Sequence, residues 1–253
     1  MGQSGSSDRV EPWETDRSSA DEAAAKESGF SAEAERQRMD ATVVDRESVG
    51  PNTFTLTFET PEGFEGLAGQ FLRLSGEVSG ESYARFYTLS SPDTEGSFEI
   101  TVGISEEGGP FSDYLADLSA GDEVALAGPY GDEHYDGEAR AVVLAGGPGI
   151  GAAVAIAEAA LANDAEAAVV YRFEGEPAHE ARLDALVDAG ADVTLLGDGA
   201  DAGDFDAAVG SAVTGSDDEC VFVYGFAEFV EDATDAIEAA GGDPDGAKVE
   251  SFG

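Results

Sequence analysis

The chain has little positive charge. Its 253 residues include 12 Lys and Arg against 54 Asp and Glu, a formal charge of -42. The only lysines are Lys26 and Lys248. Without a basic patch the chain has nothing with which to neutralise phosphates, so nucleic acid is excluded as a partner, and an anionic membrane surface with it. Cysteine is nearly absent too. Cys220 stands alone, which rules out an internal disulfide and a four-thiolate iron–sulfur cluster. His134 and His179 are the only histidines and show no ligand spacing, so both read as surface residues rather than metal ligands. Long hydrophobic runs are missing: none reaches the roughly 18 residues a membrane span needs, and the polar N-terminus has no apolar leader. The expected location is the cytoplasm.

So large a charge of one sign opposes a compact state through self-repulsion. At about 1 M salt the screening length shrinks to roughly 3 Å and removes most of that cost. The composition therefore predicts a solvent of very high ionic strength. A wholly disordered acidic chain is the rival reading, and 42% hydrophobic content in well-spaced runs argues against it.

Residues 1–38 are rich in Ser, Glu, Ala and Asp and predict a disordered acidic arm. From 39 to 131 the signals are those of short strands. Thr53 to Phe58 alternates threonine with apolar residues, and Gln70 to Leu74, Arg85 to Ser90, Phe98 to Val102 and Glu123 to Ala127 follow between turns. Together with Thr42 to Val44 they make six strands, which predicts a small closed antiparallel barrel, interrupted by one helix from Phe111 to Leu118. The polar stretch 131–139 reads as a linker. From 140 to 253 apolar strands alternate with helical segments: Ala141 to Ala145, Ala167 to Tyr171, Val193 to Leu196, Val221 to Tyr224, and a last piece, Val249 to Phe252. That alternation predicts an α/β domain with a five-stranded parallel sheet covered by helices.

Three stretches carry chemistry. In Arg85-Phe86-Tyr87-Thr88-Leu89-Ser90 a cation, aromatics and hydroxyls follow one another on a strand, so Arg85, Tyr87 and Leu89 share one face. Such a strand offers a charge for a phosphate, a ring for stacking and donors for heteroatoms; alone, it is as well read as an edge strand. Gly109 and Ser112 lie where a turn opens a helix, a place for an anion, and the reading as a plain Gly-Pro turn with a serine cap stands equal. Gly146-Gly147-Pro148-Gly149-Ile150 sits between a strand and a helix, where a glycine loop can approach phosphates. The fourth strand of the second domain ends in Tyr224-Gly225-Phe226.

Taken in order, these pieces resemble the ferredoxin–NADP reductase superfamily, above all its stand-alone flavin- and NAD(P)H-dependent oxidoreductases, over about residues 40 to 253. The resemblance implies FAD, with FMN the lesser alternative. Arg85 would hold flavin phosphate, Tyr87 would pack on the isoalloxazine, Thr88 would bond near its reacting nitrogen, and Leu89 and Ser90 would complete the motif. Gly109 and Ser112 would meet the pyrophosphate. Gly146, Gly147, Gly149 and Ile150 would hold the phosphates of NADH or NADPH, and Tyr224 and Gly225 would lie near its nicotinamide. Glu250 and Phe252 match the family's C-terminal acid and aromatic, the first near the proton path and the second covering the flavin. Thr88, Glu250 and Phe252 would thus serve the reaction itself: hydride transfer to flavin, then electrons to an acceptor such as a small acidic iron–sulfur protein or another redox partner. The chain departs from the family at Pro148, where relatives carry Thr, and at Tyr224, where they carry Cys. These departures keep open a flavoprotein module that docks on a larger complex and oxidises no pyridine nucleotide. The scarcity of cations after Arg140, with Arg172 the single candidate for a 2′-phosphate, favours NADH over NADPH.

Overall fold

The structure, a computed structural model, describes residues 38–104 and 109–252. Apart from Arg38, the expected acidic arm lies outside them, as do the four residues just before Gly109.

The first domain is built from β1 (Met39–Gly50), β2 (Thr53–Glu59), β3 (Phe71–Val78), β4 (Glu81–Thr88), β5 (Ser97–Gly103) and β6 (Glu123–Tyr130). They pair antiparallel in the order β4-β3-β6-β1-β2-β5. The period-two pattern explains the register: Phe54, Leu56 and Phe58 lie opposite Val102, Ile100 and Phe98, and all six are buried. The sheet closes where the chain leaves β4. Leu89 bridges to Ile100, and the Ser90 amide donates to the Glu99 carbonyl at 2.7 Å. These contacts join the two ends of the sheet just beyond β4 and leave β4 itself as an edge. Helix α1 (Gly109–Ala116) plugs the barrel with Phe111 and Leu115. It starts two residues before the expected Phe111, because Pro110 fits a first helical turn, where its missing N–H costs nothing.

The second domain contains β7 (Arg140–Gly146), β8 (Glu166–Arg172), β9 (Asp192–Leu196), β10 (Glu219–Gly225) and β11 (Lys248–Ser251), parallel in the order β11-β10-β7-β8-β9. Around the sheet lie α2 (Ile150–Ala162), α3 (Glu180–Asp188), α4 (Ala202–Ala212) and α5 (Ala227–Ala239). The central strand β7 is apolar on both faces for a reason: Ala141, Val143 and Ala145 pack towards α2, while Val142 and Leu144 pack towards α4 and α5. The strand order reverses between β7 and β10, where open parallel sheets form their crevices. Asp201 begins α4 with a capping box, its carboxylate accepting from the Asp204 amide and the Asp204 carboxylate accepting from the Asp201 amide, so the helix opens three residues before the expected Phe205.

Helix α2 is buried over most of its surface, with Glu158 its one charged residue, and the barrel lies against part of it. Gly151 lies against the barrel: a Cβ there would stand 2.5 Å from the Ser90 hydroxyl and 2.6 Å from that of Thr101. The histidines correct the expectation of surface residues. His179 is buried, its amide donating to the Val49 carbonyl of the barrel and its Nε2 paired with Thr101 Oγ1 at 2.8 Å. Burial and the Arg182 guanidinium push its pKa down to about 3, so the ring is neutral. His134 is half-buried in the linker. That linker is packed rather than loose. Tyr135 is buried with its amide bonded to the Ala68 carbonyl, and Lys248 Nζ donates to the His134 carbonyl and to Glu138, each at 2.6 Å.

Candidate functional site

The end of β4 meets the ends of β10 and β11. Thr88 closes β4, and its hydroxyl lies beside the Glu250 carboxylate of β11 across the two domains, near enough to favour the charged form. Burial raises the Glu250 pKa to about 7, against the lowering effect of that hydroxyl, and the Glu133 carboxylate adds to the rise. Glu250 lies opposite Tyr224 in the sheet, and two residues on, the Phe252 amide donates to the Gly225 carbonyl at 3.0 Å. The Phe252 ring meets that of Phe226 edge-on at 6.1 Å. Phe226 is 55% exposed. An acid poised near neutrality, a hydroxyl and two aromatic rings are thus brought together from three strands.

Along β4 the other expected residues follow. Tyr87 is half-buried against the barrel core, with Ser112 of α1 beside its phenol; burial pushes its pKa up to about 12, so it is neutral. Arg85 is exposed, and its Nη1 donates to the carbonyl of its neighbour Ala84 at 2.8 Å. No carboxylate pairs with it among the described residues, whereas Arg140, Arg172, Arg182 and Lys248 all have acidic partners. In a chain of such charge, a cation without an acid is a place where an anion is welcome. Gly109 opens α1 at φ +67°, with nothing within 4 Å of where a Cβ would stand. Arg85, the Tyr87 ring, Thr88, and Gly109 with Ser112 on the facing helix make a donor set that suits a phosphate-bearing planar cofactor.

Two of the motif's residues are placed differently. Leu89 is fully buried in the barrel core. Ser90 is also fully buried, its hydroxyl on Thr101 at 2.7 Å and its carbonyl accepting from Arg182 at 2.7 Å. Their side chains close the barrel and join the domains, because the strand turns inward after Thr88 to bridge β5.

The glycine loop forms a short 3₁₀ turn, Gly147–Gly149, ahead of α2, and no side chain caps the turn or the helix. Gly147 has φ +52° and open space around it. Gly146 and Gly149 serve packing. A Cβ on Gly146 would stand 2.5 Å from the Phe229 ring, and one on Gly149 would stand 2.2 Å from the Tyr224 carbonyl. Ile150 is buried. Gly225, at the end of β10, likewise has no room beside Phe229. Tyr224, expected near a nicotinamide, is fully buried instead. Its hydroxyl donates to the Glu133 carbonyl at 2.5 Å and lies 3.3 Å from that of Gly69. A tyrosine in an apolar interior needs such a partner for its hydroxyl, and the packed linker supplies it.

Arg172, the expected 2′-phosphate clamp, is held elsewhere. Its Nη1 pairs with Asp232 at 2.7 Å, and its guanidinium lies 5.0 and 4.8 Å from the ring centres of Phe205 and Phe229. Beyond the end of β9 a cavity of about 620 Å³ is lined by Asp198, Asp204 and small residues, with no cation. Glu133, Asp232, Thr101 and Arg182 belong to no motif, so nothing in the sequence marked them.

Residues 40–135 match the family described as oxidoreductase FAD-binding domain. The chain is 32% identical over 124 residues to NADH-cytochrome b5 reductase 1 of Laccaria bicolor, an alignment covering 47% of this chain and 40% of that protein. It thus spans less than half the length of that relative. Among solved structures, the cytochrome b5 reductase domain of Ulva prolifera nitrate reductase superposes with a TM-score of 0.71 at 19% identity, covering 86% of this chain and 97% of that one. Ferredoxin-NADP+ reductase of Plasmodium falciparum gives 0.69 at 14%, covering 86% and 97%.

Proposed function

We propose that this chain is a flavin-dependent NAD(P)H oxidoreductase, because residues 40–135 match the oxidoreductase FAD-binding domain and the two domains together have the fold of ferredoxin-NADP+ reductase. The observation that carries the proposal is the contact of Thr88 with Glu250, made between the two domains at the end of the strand that bears Arg85 and Tyr87. Bound FAD would accept a hydride from the reduced nucleotide and release the two electrons to an acceptor. The residues do the rest. Arg85 neutralises a phosphate, Tyr87 offers a ring face, and Gly147 and the uncapped start of α2 receive the nucleotide's phosphates. Glu250, with a pKa near 7, exchanges a proton with water while the Thr88 hydroxyl orients it. Phe252 and Phe226 keep water from the reacting faces.

NADH is the favoured reductant. A 2′-phosphate needs a free cation, and Arg172 is already neutralised by Asp232 and covered by two rings. The cavity beside β9 would present carboxylates to it. The electron acceptor is a redox partner met in a solvent of high ionic strength, where screening lets an acidic protein approach.

The test is spectroscopic. The chain purified in molar KCl carries flavin absorbance, and anaerobic NADH bleaches it faster than equimolar NADPH. A yellow protein that neither nucleotide bleaches would refute the reductase reading and favour a docking module. A chain that takes up no flavin would overturn both.

A further inference from the structure

Tyr224 has no place among groups that touch a ligand, yet it meets the glycine loop, the C-terminal strand and the first domain. Its hydroxyl reaches out of β10 to the linker, where the Glu133 carbonyl accepts it at 2.5 Å, and to the first domain, where the Gly69 carbonyl lies at 3.3 Å. The barrel is shaped for this hydroxyl. Gly69 has φ +99°, and a Cβ there would stand 2.5 Å from the phenol oxygen. The backbone of Tyr224 is engaged as closely. Gly149 of the glycine loop sits where a Cβ would come within 2.2 Å of the Tyr224 carbonyl and 3.0 Å of its Cβ. On the other side Tyr224 lies opposite Glu250, and the next residue, Gly225, accepts the Phe252 amide. One buried residue therefore refers the barrel, the glycine loop and the C-terminal strand to one another.

We propose that Tyr224 is a positioning residue: its hydroxyl, bonded across the domain boundary, sets where the glycine loop and the Glu250–Phe252 strand stand relative to the flavin-bearing strand. The inference rests on the reductase reading above. A merely structural tyrosine would contribute ring packing, which phenylalanine keeps. A positioning tyrosine acts through the oxygen, since a one-ångström misplacement of reacting groups is enough to slow a step by orders of magnitude. The side chain offers no acid or base: burial, with nearby carboxylates adding to it, holds the phenol protonated.

The test is Tyr224→Phe in the full chain, in molar KCl. Three quantities are read. The first, on the chain without nucleotide, is hydrogen exchange. The Phe252 amide and those at the start of α2 should exchange at least tenfold faster, with barrel amides of β2 and β5 unchanged. The second is FAD affinity, expected within twofold of the parent. The third is flavin reduction by NADH: the limiting rate falls about tenfold or more while half-saturation moves less than threefold, and reduction by dithionite is unaffected. Unchanged exchange and an unchanged limiting rate would overturn the proposal. A parent chain that binds FAD but is not reduced by either nucleotide would overturn the reductase reading instead, and exchange would still decide whether Tyr224 positions the strand. Should the phenylalanine variant not fold, Tyr224→Met, which also lacks a donor, takes its place with the same three expectations. Failure of both to fold would assign Tyr224 to stability alone and refute the inference.

Discussion

Glu250 gives a prediction that needs no substrate. Its carboxyl titrates near 4.5 in an unfolded chain and about 7 in the folded protein, chiefly because burial disfavours the charge. The folded state therefore holds a proton that the unfolded state releases between these pH values. Stability falls as pH rises through that window, and above about pH 7 the fold carries an ionised, half-buried carboxylate. At about 1.4 kcal/mol per pH unit, the full interval corresponds to about 3 kcal/mol. Part of it is already spent at pH 5, so about 2.5 kcal/mol should separate pH 5 from pH 8. Glu250→Gln removes the titration while keeping the shape and a group that Thr88 can bond. Urea unfolding of both chains at constant molar KCl, at pH 5 and pH 8, measures it. The variant should gain about 2.5 kcal/mol on the parent between the two pH values. Salt should change this little, because burial is the main cause and the Glu133 carboxylate a lesser one. A gain under about 0.5 kcal/mol would refute the claim that the Glu250 carboxyl is desolvated at the domain junction.

Arg85→Ala should weaken FAD binding by an order of magnitude or more with little change in thermal stability, since the guanidinium is exposed and, among the described residues, bonds the adjacent Ala84 carbonyl alone; flavin titration and melting check the two halves separately. Gly151→Ala places a methyl against Ser90 and Thr101, so it should destabilise the domain junction by about 1–3 kcal/mol, read by chemical denaturation. Asp232→Ala frees Arg172 from its carboxylate and should raise the preference for NADPH over NADH severalfold in kcat/KM, while leaving turnover with NADH near its parent value.

The architecture was legible in local patterns because each strand obeys a period. Thr53 to Phe58 alternates, so one face had to be buried, and Val142 to Leu144 is apolar throughout, so both faces had to be. Turn and loop chemistry was legible too, since Gly147 adopts a backbone conformation that favours glycine. What neighbouring residues could not reveal was which groups meet across the two domains. Leu89 and Ser90 continue a ligand-like strand, yet the chain turns inward to close the barrel and buries them. His179 and Tyr224 looked like a surface residue and a ligand contact; the first pairs with Thr101 of the barrel and the second donates to the Glu133 carbonyl of the linker. The spacing of residues along one element determines its face and its partners within a sheet. Contacts such as Thr88 with Glu250, 162 positions apart, depend on how two finished domains pack, and only the tertiary structure decides that.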